Sequence, residues 1–262
     1  MKVGIIGVGN MGGAILSGIA QEYEVYAFDI AKNKIMDLSK LYTFNITNSE
    51  EEVAKKSDYI ILAVKPDKVK GVVFKIKDYL DSKKNIISIA AGVSIEEIKN
   101  WSDSKCPIIR VMPNTCVLVK KGIFGICFDS STNDEQKEFV LDLFKKLGRV
   151  YEIEEKDFDA FTSLVGCGPA YIFYFIEALI EAGITIGFTK EIAQNFVFDL
   201  IEGSLSLAQK SSLPISELKY MVTSPKGATI YALNLLDRRS TKANIIDAVL
   251  SAYNRCKELL KS

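Results

Sequence analysis

Residues 2–15 read Lys2-Val3-Gly4-Ile5-Ile6-Gly7-Val8-Gly9-Asn10-Met11-Gly12-Gly13-Ala14-Ile15. Lys2 to Gly7 is a short apolar run with β-branched residues, stopped by glycine. Met11, Ile15 and Ile19 then recur at helical spacing over residues 11–21. Between strand and helix stands Gly-x-Gly-x-x-Gly at positions 7, 9 and 12. Gly7 permits a tight turn, Gly9 lets the backbone approach a pyrophosphate, and Gly12 allows close helix–strand packing. The positive end of the helix faces the anion. A second strand over 24–28 ends at Asp29, roughly 20 positions after Gly7, where the dinucleotide fingerprint requires an acid.

Outward from this unit the chain keeps alternating. Residues 31–41 read as a helix, 43–46 as a short strand, 49–56 as a charged helix and 59–64 as an apolar strand buried on both faces. Residues 68–80 are helical, 85–89 form another apolar strand, and 94–101 a helix with Ser94 and Glu97 as a capping box. Strands at 108–112, 123–128 and 149–152 follow, with an amphipathic helix over 134–147 before the last. The alternation predicts an α/β fold, a doubly wound parallel sheet covered on both faces. Near residue 154 the period becomes helical, with helices at 157–165, 169–186, 190–210, 215–222, 227–237 and 241–261. The expected organisation is therefore a Rossmann-type domain over 1–155 and an all-helical domain over 156–262. Residues 170–180 are apolar on nearly every side, so that helix must be covered all round. The helical half is expected to supply that cover by dimerising.

Composition narrows the chemistry. The 262 residues carry 33 basic and 33 acidic side chains, with no charged tail and no surplus for nucleic acid. There is no histidine, which excludes a Ser-His-Asp site, a His-ligated metal and an imidazole proton donor. Five cysteines, an odd number without a Cys-x-x-Cys pair, indicate neither a zinc site nor a redox motif. Reduced thiols fit a cytoplasmic setting, and no metal is expected. The apolar opening runs straight into glycines, unlike a signal peptide. The apolar stretch 170–180, interrupted by Glu177, reads as too short and too charged to span a membrane.

Further motifs sit where such sheets bind ligands, at the carboxyl ends of strands. Asp29 would accept hydrogen bonds from an adenosine ribose and repel a 2′-phosphate, while Lys32 and Lys34 would offset that repulsion. Ala63-Val64-Lys65-Pro66 leaves a buried strand, with Pro66 ending it and Lys65 either meeting the cofactor or simply solvated. Ala90-Ala91-Gly92 leaves the next strand, its small side chains admitting a flat ring. Asn114 follows another, able to hydrogen-bond a carboxamide. Gly166-Cys167-Gly168-Pro169 reads as a helix junction. Thr223-Ser224-Pro225-Lys226-Gly227-Ala228-Thr229 opens a helix whose exposed amides suit a carboxylate, or it is a plain N-cap.

Taken together, IGVGNMGGAI (6–15), LAVKP (62–66), SIAAGV (88–93), RVMPNT (110–115), GCGPAYIFYFIEAL (166–179) and TSPKGATIYAL (223–233) resemble the pyrroline-5-carboxylate reductase family over nearly the whole chain. The resemblance implies an NADP(H)- or NAD(H)-dependent reductase that moves hydride to the imine carbon of a carboxylated cyclic imine, giving L-proline. It implies an intertwined helical homodimer, a decamer of five dimers, and a substrate site shared between subunits. Carried over, Gly7, Gly9, Asn10, Met11 and Gly12 would hold the pyrophosphate, and Asp29 and Ile30 would lie by the adenosine ribose. Asn48, Ala63, Val64, Lys65, Pro66, Ala90 and Asn114 would line the rest of the cofactor groove. Ser224, Gly227, Ala228 and Thr229 would hold the substrate, with the catalytic Thr229 hydroxyl facing its nitrogen. Cys116, Cys167, Lys226 and residues 237–240 depart from the family pattern. Lys226, which replaces a glycine in the carboxylate loop, leaves open a paralogue reducing another imine or a non-catalytic regulator. The β-hydroxyacid dehydrogenases share the architecture but need a lysine where this chain has Ile172.

Overall fold

The computed structural model describes residues 1–259. Strand β1 (Lys2–Ile6) leads through Gly7 into α1 (Asn10–Ile19), and β2 (Glu24–Phe28) leads into α2 (Lys32–Ser39). After them come β3 (Asn45–Ile46), α3 (Glu50–Lys56), β4 (Tyr59–Leu62), α4 (Pro66–Ile76), β5 (Asn85–Ser88), α5 (Ile95–Trp101) and β6 (Ile108–Met112). β7 (Gly122–Phe128), α6 (Asp134–Lys145) and β8 (Gly148–Glu152) complete one eight-stranded sheet, ordered β3-β2-β1-β4-β5-β6-β7-β8. All neighbours are parallel except β6 and β7. The order reverses between β1, paired to β2 on one side, and β4 on the other, with Ile5 opposite Ala27 and Ile61. That reversal opens a crevice at the carboxyl ends of β1 and β4.

Strand periodicity builds the two cores. Ile5, Ile61, Ile87 and Ile109 face one side and pack with Ile15, Leu16 and Ile19 of α1, Ile35 of α2 and Leu143 and Phe144 of α6. Ile6, Ile60, Leu62, Ile86 and Ile108 face the other, against Val53 of α3, Val69 and Val73 of α4 and Ile98 of α5. Every residue of β4 and β5 is buried, as double-sided cover requires. The doubly wound α/β fold is thus as expected.

After β8 the described chain is helical: α7 (Phe158–Phe161), a π-helical turn (Thr162–Gly166), α8 (Gly168–Thr185), α9 (Lys190–Lys210), α10 (Ile215–Met221), α11 (Ala228–Arg238) and α12 (Thr241–Leu259). Positions 260 and 261, expected to continue the last helix, lie outside the described residues, as does residue 262. The described chain falls into two compact units, one of Met1–Pro169 with the turns from Ala252 onward, the other of Ala170–Ser251. Within Ala170–Ser251 only Ala193 and Val197 are buried. Phe173 and Tyr174 of α8 stand 63% and 70% exposed.

Three local expectations need correction. Pro66 does not end β4, which stops at Leu62; it is the first residue of α4, behind Lys65 as N-cap. Proline is well placed there because a first-turn N–H has no intrahelical acceptor to lose. The third strand shrinks from 43–46 to two residues paired with Tyr26 and Ala27. The glycine-proline junction does not interrupt the helical run. The π turn, closed by the Cys167 N–H on the Thr162 carbonyl at 2.9 Å, carries it through. Glu155–Thr185 is consequently 31 residues long with mean hydropathy 1.5, long and apolar enough to cross a membrane by length and composition alone. The sequence separates this run at the Gly-Pro junction, into helices at 157–165 and 169–186, and marks only 170–180 as continuously apolar. Length therefore does not exclude a span, although the same test is passed by apolar helices that a protein surface covers.

Candidate active site

The crevice is built from glycine outward. Gly7 has φ +94, and a Cβ there would stand 2.6 Å from the Ala63 carbonyl oxygen. A Cβ on Gly12 would sit 2.1 Å from the Gly7 oxygen, so β1, β4 and α1 meet too closely for any side chain. Gly9 is different: a Cβ there meets nothing within 4 Å, and its φ is −64. The chain leaves the space beside position 9 open, so the backbone there is accessible to a ligand. The first α1 hydrogen bond runs from the Gly13 N–H to the Gly9 oxygen at 2.8 Å. Asn10, Met11 and Gly12 thus carry N–H groups without intrahelical acceptors. No side chain caps them, whereas Ser49, Ser94 and Asn133 cap α3, α5 and α6. This cradle fits a dinucleotide pyrophosphate.

Asp29 closes β2 beside the loop. Its Oδ2 accepts the Val8 N–H at 2.6 Å and its Oδ1 accepts the Ala31 N–H at 2.7 Å. The carboxylate therefore fastens the glycine loop to the start of α2. Val8 carries no signal of this in sequence, because its contribution is a backbone N–H. Ile30 is 87% exposed. Asn48 follows β3 on the surface and is held by Glu52, whose Oε2 accepts its backbone N–H at 2.8 Å and its Nδ2 at 3.2 Å. Ala63 and Val64 are half-buried after β4, within reach of Gly7, and Lys65 and Pro66 are exposed. Ala90 is buried after β5, its N–H 3.4 Å from the Ser88 hydroxyl. These positions all lie at carboxyl ends of neighbouring parallel strands. A depression of about 430 Å³ beside α1 is lined by Gly9, Asn10, Lys34, Tyr42 and Leu118. Tyr42 and Leu118 escaped the sequence reading, since neither belongs to a motif.

Asn114, after β6, is buried and heavily committed. Its Oδ1 accepts the Ile123 N–H at 3.1 Å, and its Nδ2 donates to the Val165 carbonyl at 3.3 Å. In an α-helix that carbonyl would be paired by residue 169, but Pro169 has no N–H. Asn114 supplies the missing donor, and one amide hydrogen remains for a ligand. Nearby, the buried Arg110 donates to Glu155 Oε1 at 3.1 Å and stacks over Phe158, its guanidinium carbon 4.4 Å from the ring centre. Glu155 Oε1 also accepts the Ile95 N–H at 2.7 Å.

The second group of predicted residues lies in Ala170–Ser251. Ser224, Pro225, Lys226 and Gly227 form a turn closed by the Gly227 N–H on the Ser224 carbonyl at 3.1 Å. Proline precedes Lys226, whose φ is +59, the pattern of a type II turn. A Cβ on Gly227 would lie 2.2 Å from the Ser224 hydroxyl and 3.2 Å from its carbonyl oxygen, so a side chain there would force the Ser224 hydroxyl to turn away. Gly227 is the N-cap of α11 without a side-chain hydrogen bond, and Ala228 and Thr229 begin the helix, exposed. Ser224, Gly227, Ala228 and Thr229 are thus gathered on one uncapped helix start.

Burial pushes the Cys106 thiol up to about 12 and raises Cys127 and Cys256, and all five cysteines are free. Among the described residues no cluster of three His, Cys, Asp or Glu side chains is arranged to hold a metal.

Residues 155–259 match the family model described as pyrroline-5-carboxylate reductase dimerisation, and residues 2–92 match one described as NADP oxidoreductase, coenzyme F420-dependent. The chain is 34% identical to pyrroline-5-carboxylate reductase of Arabidopsis thaliana over 266 aligned positions, covering 100% of this chain and 96% of the relative. It is 35% identical to the enzyme of that name from Aquifex aeolicus, covering 99% and 97%. The crystal structure of Plasmodium falciparum pyrroline carboxylate reductase with NADP bound superposes with a TM-score of 0.92 at 37% identity, covering 99% of this chain and 98% of that one. With kinship at this level running over the full length of the chain, it belongs to the pyrroline-5-carboxylate reductase family.

Proposed function

We propose that this protein reduces 1-pyrroline-5-carboxylate to L-proline with a reduced nicotinamide cofactor, the last step of proline synthesis. The observation that carries the reading is the start of α1 behind the glycine loop, where no side chain caps the free N–H groups of Asn10, Met11 and Gly12, in a chain related to reductases over its whole length. The bound cofactor supplies hydride from C4 of its nicotinamide ring.

The residues have separable tasks. The N–H groups of Asn10, Met11 and Gly12, in the loop shaped by Gly7 and Gly9, hold the pyrophosphate. Asp29 and Ile30 lie by the adenosine ribose. Asn48, Ala63, Val64, Lys65, Pro66, Ala90 and Asn114 line the remaining groove. Ser224, Gly227, Ala228 and Thr229 hold the substrate carboxylate and ring at the positive end of α11. The Thr229 hydroxyl orients the imine nitrogen. A protonated imine is already electrophilic, so orientation and charge placement suffice without a strong side-chain acid, consistent with a chain lacking histidine.

In the same reading residues 1–155 bind the cofactor and 156–262 form the dimerisation and substrate domain. A second copy covers the apolar sides of α8 and α9 and completes the substrate site. Dimers assemble by fives, and the protein works in the cytoplasm, where its free thiols stay reduced. Absorbance at the reduced-nicotinamide band tests the activity. Purified protein mixed with pyrroline-5-carboxylate should consume NADH or NADPH in a saturable way. Folded protein that binds cofactor yet consumes neither would overturn the reading and turn attention to Lys226 and another imine.

A further inference from the structure

We infer that Asp29 makes this chain select the nicotinamide cofactor without a 2′-phosphate. The inference rests on the proposal that a dinucleotide lies along the glycine loop, and it names which one. A carboxylate at the end of β2 discriminates only if it cannot swing away from an incoming phosphate. Here it is tied at both oxygens, by the Val8 N–H at 2.6 Å and the Ala31 N–H at 2.7 Å. Both are short, charge-assisted bonds to fixed backbone. Rotating the group would break both and release the loop that holds the pyrophosphate.

A carboxylate has about four acceptor positions and no donor. Two of the four are taken by the chain. The remainder suit the donating 2′- and 3′-hydroxyls of a ribose. A 2′-phosphate brings acceptor oxygens and a charge of roughly −1.5 to −2, and so meets a fixed like charge.

Lys32 and Lys34 oppose this argument. Both are exposed in the first turn of α2, and neither forms an ion pair among the described residues. Their long side chains must be ordered to bind, and their field is screened within about 8 Å at physiological salt. The anchored carboxylate pays no ordering cost. The loop Asp29-Ile30-Ala31-Lys32-Asn33-Lys34 contains no arginine for bidentate phosphate contact, and its most exposed hydrophobic residue, Ile30, suits the adenine face. The lysines therefore supply residual NADPH affinity and do not set the preference.

The test is a binding titration, read by enhancement of nicotinamide fluorescence in the absence of substrate. The wild-type protein should bind NADH about tenfold or more tightly than NADPH. In Asp29→Ser the NADPH Kd should fall by about tenfold while the NADH Kd rises. Equal or tighter NADPH binding by the wild type overturns the inference, whether or not the variant folds. So does parallel weakening of both cofactors in Asp29→Ser, which would make Asp29 a loop fastener alone. Failure of both cofactors to bind the wild type overturns the dinucleotide reading itself, an outcome distinct from a lost preference.

Discussion

Three glycines within six residues obey different masters. Gly12 is required by the Gly7 carbonyl, whereas Gly9 is required by nothing in the chain. Gly12→Ala should therefore lower Tm sharply, by the several degrees that about 2 kcal/mol of backbone clash implies. Gly9→Ala should leave Tm unchanged within error and weaken cofactor binding about tenfold, measured by thermal melts and fluorescence titration side by side. Thr229→Ala should lower kcat/KM about 100-fold with the melt unaltered, since the residue is exposed at the start of α11. Lys226 sits at φ +59, where glycine is at ease; Lys226→Gly should raise Tm, by about 1 kcal/mol of stability, at fixed protein concentration. Gly7 and Gly12 were legible because their requirements act over one turn and one strand spacing; Asp29 was legible as the acid that follows β2, but not as the acceptor that ties down Val8. The commitment of Asn114 to Val165 was not. It follows from the missing N–H of Pro169, and the two partners are 51 positions apart.

Among elements, those with short-range signals came through best. Ser94 and Glu97 cap α5 reciprocally, as their spacing says, and β2, β6 and α9 have the expected bounds. The π turn did not, because one extra residue per turn alters no composition. Arg110 and Glu155 were also invisible as a pair, since nothing local marks them. They join β6, the first residue of α5 and the start of the helical run. Glu155→Ala would leave a buried guanidinium without its counter-charge and should cost about 3 kcal/mol in a denaturant melt. Arg110→Met, which removes the buried charge, should cost less.

At the scale of the molecule, the sheet unit has two dry cores and the unit Ala170–Ser251 has almost none. Sequence could say that α8 is apolar on nearly every side; it could not say what covers that surface, because the cover does not come from the residues of this unit.

The uneven burial also has a consequence for how the protein is made. Synthesis runs from the amino end, so the strands of the sheet emerge first and can close both cores while the helices are still being added. Yet the turns from Ala252 belong to that first unit, so its completion waits until the helices of the other have been made. Until then Phe173, Tyr174 and their neighbours face solvent. Apolar surface of that kind, open during synthesis, is where an unfinished chain is prone to aggregate.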